Sequence, residues 1–248
     1  MDLFTLSWTA LRTVATGLPD TAHARPSGCR GWLVRDLLCH LVLDAQDVLI
    51  TLSTPAETAP TADALSYWTP RPTLHAGSDP LDALTVRLAA AYEDPALLRG
   101  HLEEVGAAAG RAALLAHPDL PVATRAMTLT VRDYLSAVVL EWTLHHLDLV
   151  AHHGAAEQAS VEPPVDPVDG PPAAGLAAAR DMVERRLRLR LPAAWTDADA
   201  LRIATGRRTA TEAERAELDA LGARGQMLPL SFGRPSPDES RAPSPRPS

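Results

Sequence analysis

The stretch VVLEWTLHHLDLVAHH, Val138 to His153, reads as a helix that is apolar nearly all round. A helix of that kind belongs inside a bundle, packed on several sides by other helices. Yet it also carries a glutamate, an aspartate and four histidines. Two explanations follow: a bundle helix with one solvated stripe, or a metal site built from the inside of the bundle.

Other segments supply the partners for that helix. Asp2 to Gly17 forms a loosely amphipathic first helix, with Phe4, Leu6, Leu11 and Val14 on one side. A turn-rich loop, PDTAHARPSGCRG, leads to a second helix from about Leu33 to Thr51. Residues 52–78, rich in Pro, Thr and Ser, read as a long connection with one short turn near Ala62 to Trp68. Asp79-Pro80 opens a third helix, with a capping carboxylate followed by a proline whose missing N–H does no harm there. Asp94-Pro95 repeats the signal, so this segment is kinked or is two helices ending near His117-Pro118. Thr130 caps the last long helix, which has Asp133 in its first turn and runs to about Gly154. No segment alternates convincingly as a strand, and only Pro121 to Leu129 is ambiguous. The expected fold is all-α, an up-down four-helix bundle over residues 1–155.

Residues 156–172 read as a proline-rich linker, and 173–233 as a small helical extension. The extension opens with an Arg-dense, solvated helix from Ala173 to Leu191; Thr211 and Glu214 form a capping box further on. The tail 234–248 is expected to be disordered.

The net charge of −8 argues against a surface that tracks phosphates, so nucleic acid is not the expected partner. No apolar run is long enough to span a membrane, and the first residues lack the pattern of a secretion signal. Two cysteines, Cys29 and Cys39, make no disulfide framework and suit reduced thiols in a cytoplasm. All 23 basic residues are arginine, which excludes Schiff-base chemistry on a lysine.

On a wheel of about 100° per residue, Tyr134, Glu141, His145, Asp148 and His152 share one narrow stripe of the last long helix. Glu141 and His145, four residues apart, project together from adjacent turns and can grip one cation. His146 is rotated away and reads as a packing or surface residue. Zinc with one open position needs a third protein ligand, which must come from another helix. The second helix offers His40, set in an apolar turn where a lone histidine is also a normal core residue. Asp36, Asp44 and Asp47 lie on its side of the helix and could orient an imidazole, or simply cap and solvate. At about 1.5 Å per residue, His40 and Glu141 come level only if the two helices are staggered by a turn. Cys39 points a quarter-turn from His40 and reads as a small core residue.

WLVRDLLCHL followed about a hundred residues later by EWTLHHLD resembles the DinB-like metal-binding bundle. The branch it is most similar to is the amino-terminal domain of mycothiol-dependent maleylpyruvate isomerases and their actinobacterial relatives. That family places a histidine in a W-x-V-R-D-L-x-x-H-L phrase and a Glu and His in E-x-x-x-H-x-x-D. The resemblance, covering roughly residues 1–155, implies His40, Glu141 and His145 as metal ligands, with Asp148 matching the trailing aspartate and Asp44 and His152 nearby. Leu33 departs from the pattern, standing where a capping Thr is common. The isomerases also carry a larger second domain than the short extension here. The ALRIATGRRTATEAERAEL segment resembles the extension of many family members, and Arg207 and Arg208 within it are candidate anchors for an acidic substrate.

The resemblance implies a Zn2+ site, or one for another divalent metal, whose open position takes a small thiol such as mycothiol. The partners are then that thiol and an electrophilic substrate, in a transferase- or isomerase-type reaction. The rival readings are a metal-dependent hydrolase that activates water at the same ligands, and a non-catalytic metal-binding or regulatory helical protein.

Overall fold

The computed structural model describes residues 2–71, 80–151, 170–226, 228–229 and 231–233, and these are mostly helical. Helix α1 spans Leu3–Gly17 and is capped by the Asp2 carboxylate, which accepts the Thr5 N–H. Its inward face is Phe4, Trp8, Leu11 and Ala15, one step round from the stripe expected. Helix α2 spans Val34–Leu52. The apolar Leu33 at its N-cap has no side chain to offer, but the Asp36 carboxylate accepts the Leu33 N–H at 2.8 Å and ties the start from the other side.

Two helices follow, α3 over Pro80–Ala90 and α4 over Pro95–Leu115; the Asp79 cap expected for the first lies outside the described residues. In the second, the Asp94 side chain accepts the Ala96 N–H. Helix α5 spans Val131–Val150, where Thr130 Oγ1 accepts the Asp133 N–H at 3.1 Å. The stretch between α5 and the next helix lies largely outside the described residues, as do His152 and the tail 234–248. No helix among the described residues is long and apolar enough to cross a membrane.

Helix α1 packs on α4 and α5, while α2 packs on α3, α4 and α5. The α1–α5 seam centres on Trp8 and Trp142, stacked at 3.8 Å between ring centroids. Trp8 Nε1 donates to the Gly106 carbonyl of α4 at 2.8 Å. Gly106 permits this approach, because a Cβ there would stand 2.8 Å from Trp8 Cζ2.

The segment left ambiguous in the sequence is a hairpin, and a second strand pair was not expected. Pro121–Thr124 (β2) pairs antiparallel with Met127–Thr130 (β3) in a hairpin that runs directly into α5. Val122 and Leu129 face each other in its register and are both buried. The turn residues Arg125 and Ala126 both take positive φ, 45° and 65°, as a tight hairpin turn of this hand requires. Neither is the Gly or Asn that usually marks such a turn, so composition hid it. A second pair joins Thr69–Arg71 (β1) to Ser231–Gly233 (β4), linking the connection after α2 to the end of the described chain.

After residue 172 come α6 (Ala173–Leu187), α7 (Asp197–Ala204), α8 (Glu212–Ala220) and α9 (Ala223–Gln226). The Thr211–Glu214 capping box forms at the start of α8. Helix α6 is shorter than expected, stopping where Arg188 turns left-handed at φ 51°. It is also not solvated all round: it packs on α1 and α5, and Glu184 is buried. The Arg180 guanidinium reaches Glu184, Asp197 and the carbonyls of Leu191, Pro192 and Trp195, so it knots the α6–α7 turn.

Candidate metal centre

Helices α2 and α5 bring His40, Asp44, Glu141 and His145 to one point, with their donor atoms all within 4.8 Å of one another. His40 Nε2 lies 3.1 Å from His145 Nε2, 3.3 Å from Asp44 Oδ2 and 3.8 Å from Glu141 Oε1. Two ligands bound tetrahedrally to zinc at about 2.0–2.1 Å stand about 3.3–3.4 Å apart, so the spacing suits a divalent ion. Two imidazoles and two carboxylates are also the donor types that zinc and its neighbours accept. The pocket is not sealed, because the His40 side chain keeps 20% of its exposure and that of Glu141 10%. Trp32 packs edge-on against His40, 5.1 Å between centroids.

Behind His145 lies a second layer. Its Nδ1 is 3.3 Å from Asp148 Oδ2. A carboxylate only accepts, so the hydrogen sits on Nδ1 and the Nε2 lone pair is left facing the pocket. Asp148, 1% exposed, is itself held from two sides. Arg207, in the turn after α7, donates from Nε to Oδ1 and from Nη2 to Oδ2, both at 2.8 Å. The Cys29 thiol donates to Oδ2 at 3.1 Å. Burial alone would raise the Asp148 pKa, but Arg207 and the His145 hydrogen bond outweigh it and hold the carboxyl well below its usual range. Burial and then the Asp148 charge push the Cys29 thiol well above its ordinary value.

The loop before α2 closes on the same residue. Gly28 N–H donates to the Asp148 carbonyl at 2.8 Å, and a Cβ at Gly28 would stand 2.6 Å from Asp148 Cα. Only glycine permits this approach. Cys29, His145 and Asp148 form a second group of close donors that overlaps the first at His145. The guanidinium already paired with Asp148 makes that group poor ground for a cation.

A model of the mycothiol maleylpyruvate isomerase N-terminal domain matches residues 4–150. The chain belongs to this DinB-like family. The mycothiol maleylpyruvate isomerase N-terminal domain match runs from α1 to the end of α5, so it includes the four gathered donors and excludes Arg207. No curated protein matches the chain, and neither does any solved structure.

The structure brings together His40, Glu141 and His145, places Asp148 behind His145 and puts Asp44 beside the pocket. The α5 stripe is not a water-facing one: Tyr134 at its start is buried, T-stacked on Tyr67 at 6.0 Å, and Asp148 is buried too. His146, 1% exposed, is a packing residue, and Cys39 is buried. Asp36 serves the start of α2, and Asp47 pairs with Arg125 at 2.5 Å. Arg207 and Arg208 are both engaged by carboxylates, the first by Asp148 and the second by Glu214 and Asp199. Cys29 was read only as a reduced thiol and not as part of the site, because nothing local to PSGCRG points to a residue 119 positions away.

Proposed function

We propose that the protein is a divalent-metal-dependent enzyme, of zinc type, that uses a low-molecular-weight thiol such as mycothiol in an S-transferase- or isomerase-type reaction. In this reading His40, Glu141 and His145 hold the ion within an up-down four-helix bundle of residues 1–155, and 173–233 is a helical extension. The observation that carries it is the meeting of two imidazole nitrogens at 3.1 Å with carboxylates beside them, in a chain of this family.

When bound, the cation would make a thiolate available at neutral pH and polarise an electrophile. The protein's own groups do the rest. Asp148 fixes the ring and tautomer of His145, and Arg207 keeps Asp148 charged and aimed. The protein's own thiols are poorly suited as nucleophiles: burial pushes Cys39 up to about 11, and Cys29 is raised and donates its S–H to Asp148. In this reading the sulfur nucleophile arrives with a cosubstrate. Two free thiols suit a reducing cytoplasm.

The test is turnover of a panel of electrophiles by the purified, metal-loaded chain, with and without mycothiol. Turnover only with thiol is expected. Equal hydrolysis without thiol would assign the site to water activation instead.

A further inference from the structure

Asp44 and Asp148 both stand next to a histidine of the site, but they touch different ring nitrogens. Asp148 takes Nδ1 of His145, the nitrogen turned away from the pocket. Asp44 Oδ2 lies 3.3 Å from Nε2 of His40, the nitrogen turned toward His145 and Glu141. That single nitrogen therefore has three neighbours, at 3.1, 3.3 and 3.8 Å. One N–H cannot serve three acceptors. A cation among them would lie within reach of all four groups, whose donor atoms are within 4.8 Å of one another, and it would also offset the repulsion of two carboxylates that face one small space.

The two helices contribute alike. Helix α2 presents His40 and Asp44, four residues apart, and α5 presents Glu141 and His145 at the same spacing. Asp44 is 2% exposed, so its carboxylate faces protein rather than solvent, with Oδ2 turned to His40.

We propose that Asp44 is a fourth direct metal donor, not an outer partner of His40, and that its side chain fills the position a small thiol must take. This rests on the metal site proposed above. The four donor positions would then be filled by protein, with two nitrogens and two oxygens, and a thiol would gain its place only when the Asp44 side chain gives way. The exchange would replace one anionic ligand by another, and the thiol proton would pass to the displaced Asp44 carboxylate, so the charge of the site would be conserved. Asp44 would thus restrain access of water and other small ligands between turnovers.

The test uses Co2+ as the probe, titrated into the metal-free full-length protein and followed by its visible absorption. Mercaptoethanol is then added. Wild-type protein is expected to bind one Co2+ in a four-coordinate spectrum, and His145→Ala to lose it. Asp44→Ala is expected to bind Co2+ at least about tenfold more weakly, with an altered spectrum. The same variant should take up mercaptoethanol at lower concentrations than wild type does, because its fourth position is open. Asp44→Asn keeps the shape and loses the charge, so it decides the matter if circular dichroism shows that the alanine variant fails to fold. Wild-type affinity, spectrum and thiol response in the folded Asp44 variants, alongside loss in His145→Ala, overturn the role of Asp44 alone. Absence of Co2+ binding by wild type overturns the metal site and this inference together.

Discussion

His145 meets its aspartate through Nδ1 and keeps Nε2 for the pocket, whereas His40 meets Asp44 through Nε2, the nitrogen that already faces the pocket. On the α5 side the histidine is backed by a chain of partners, Asp148, then Arg207 and Cys29, that reaches into the loop before α2 and into the extension. On the α2 side the carboxylate stands beside the ring, within the same group of donors. The difference teaches that an aspartate near a histidine has no fixed role. Which ring nitrogen it touches decides whether it tunes a ligand or is one.

The largest effect should come from the histidines. His40→Ala and His145→Ala are each expected to abolish stoichiometric zinc, measured by elemental analysis of purified protein, while His146→Ala retains it. Equal zinc in all three would break the comparison at its base.

Next comes the partner chain behind His145. Arg207→Ala leaves the buried Asp148 charge without its main counterion, a change that costs about 3 kcal/mol in urea denaturation. Metal affinity should fall with it by about 10–100-fold, the usual cost of losing an outer partner. Unchanged affinity in the folded variant would show that the extension does not act through His145.

A smaller effect is expected from Glu184→Gln, which loosens the knot that holds the α6–α7 turn and, beyond it, Arg207. The loss should be about 1–2 kcal/mol. Burial opposes the charge on Glu184, but its bonds to Arg180 and Arg190 win and keep its pKa below the ordinary 4.5. The folded pKa being the lower one, this contribution is complete above pH 4.5 and is lost as pH falls through the folded value. Wild type and variant should therefore converge in stability on the acid side; a gap that widens there would contradict the sign.

The least effect is expected at Cys29. Cys29→Ala removes one of several donors to Asp148 and leaves Arg207 in place, so metal affinity should change by less than about tenfold. A complete loss of metal would move the site to the group formed by Cys29, His145 and Asp148.

Much of the helical frame was legible because local chemistry declares it. Thr130, Asp94-Pro95 and Thr211 with Glu214 start helices by satisfying exposed N–H groups near them in sequence. That Glu141 and His145 share one face of their helix was legible from spacing, while grouping His40 with them was what the family resemblance implied. The hairpin before α5 was not legible, since Arg125 and Ala126 carry no sign of the positive φ they adopt. Nor could spacing reveal that Arg207 would turn from a possible substrate anchor into the counterion of Asp148, 59 residues earlier. The distinction between Asp44 and Asp148 depends on ring rotation, which no helical wheel records. The buried face of α6 was missed for a related reason: Arg180 and Glu184 look solvated until each is seen to supply the other's charge.

The most direct measurement is the position of the ion itself, from anomalous diffraction at the zinc edge on crystals of the zinc-loaded chain. A single peak within about 2.2 Å of His40 Nε2, His145 Nε2 and a Glu141 oxygen is the expected result. A peak elsewhere, or one lodged between the Cys29 sulfur and His145 Nδ1, would contradict it.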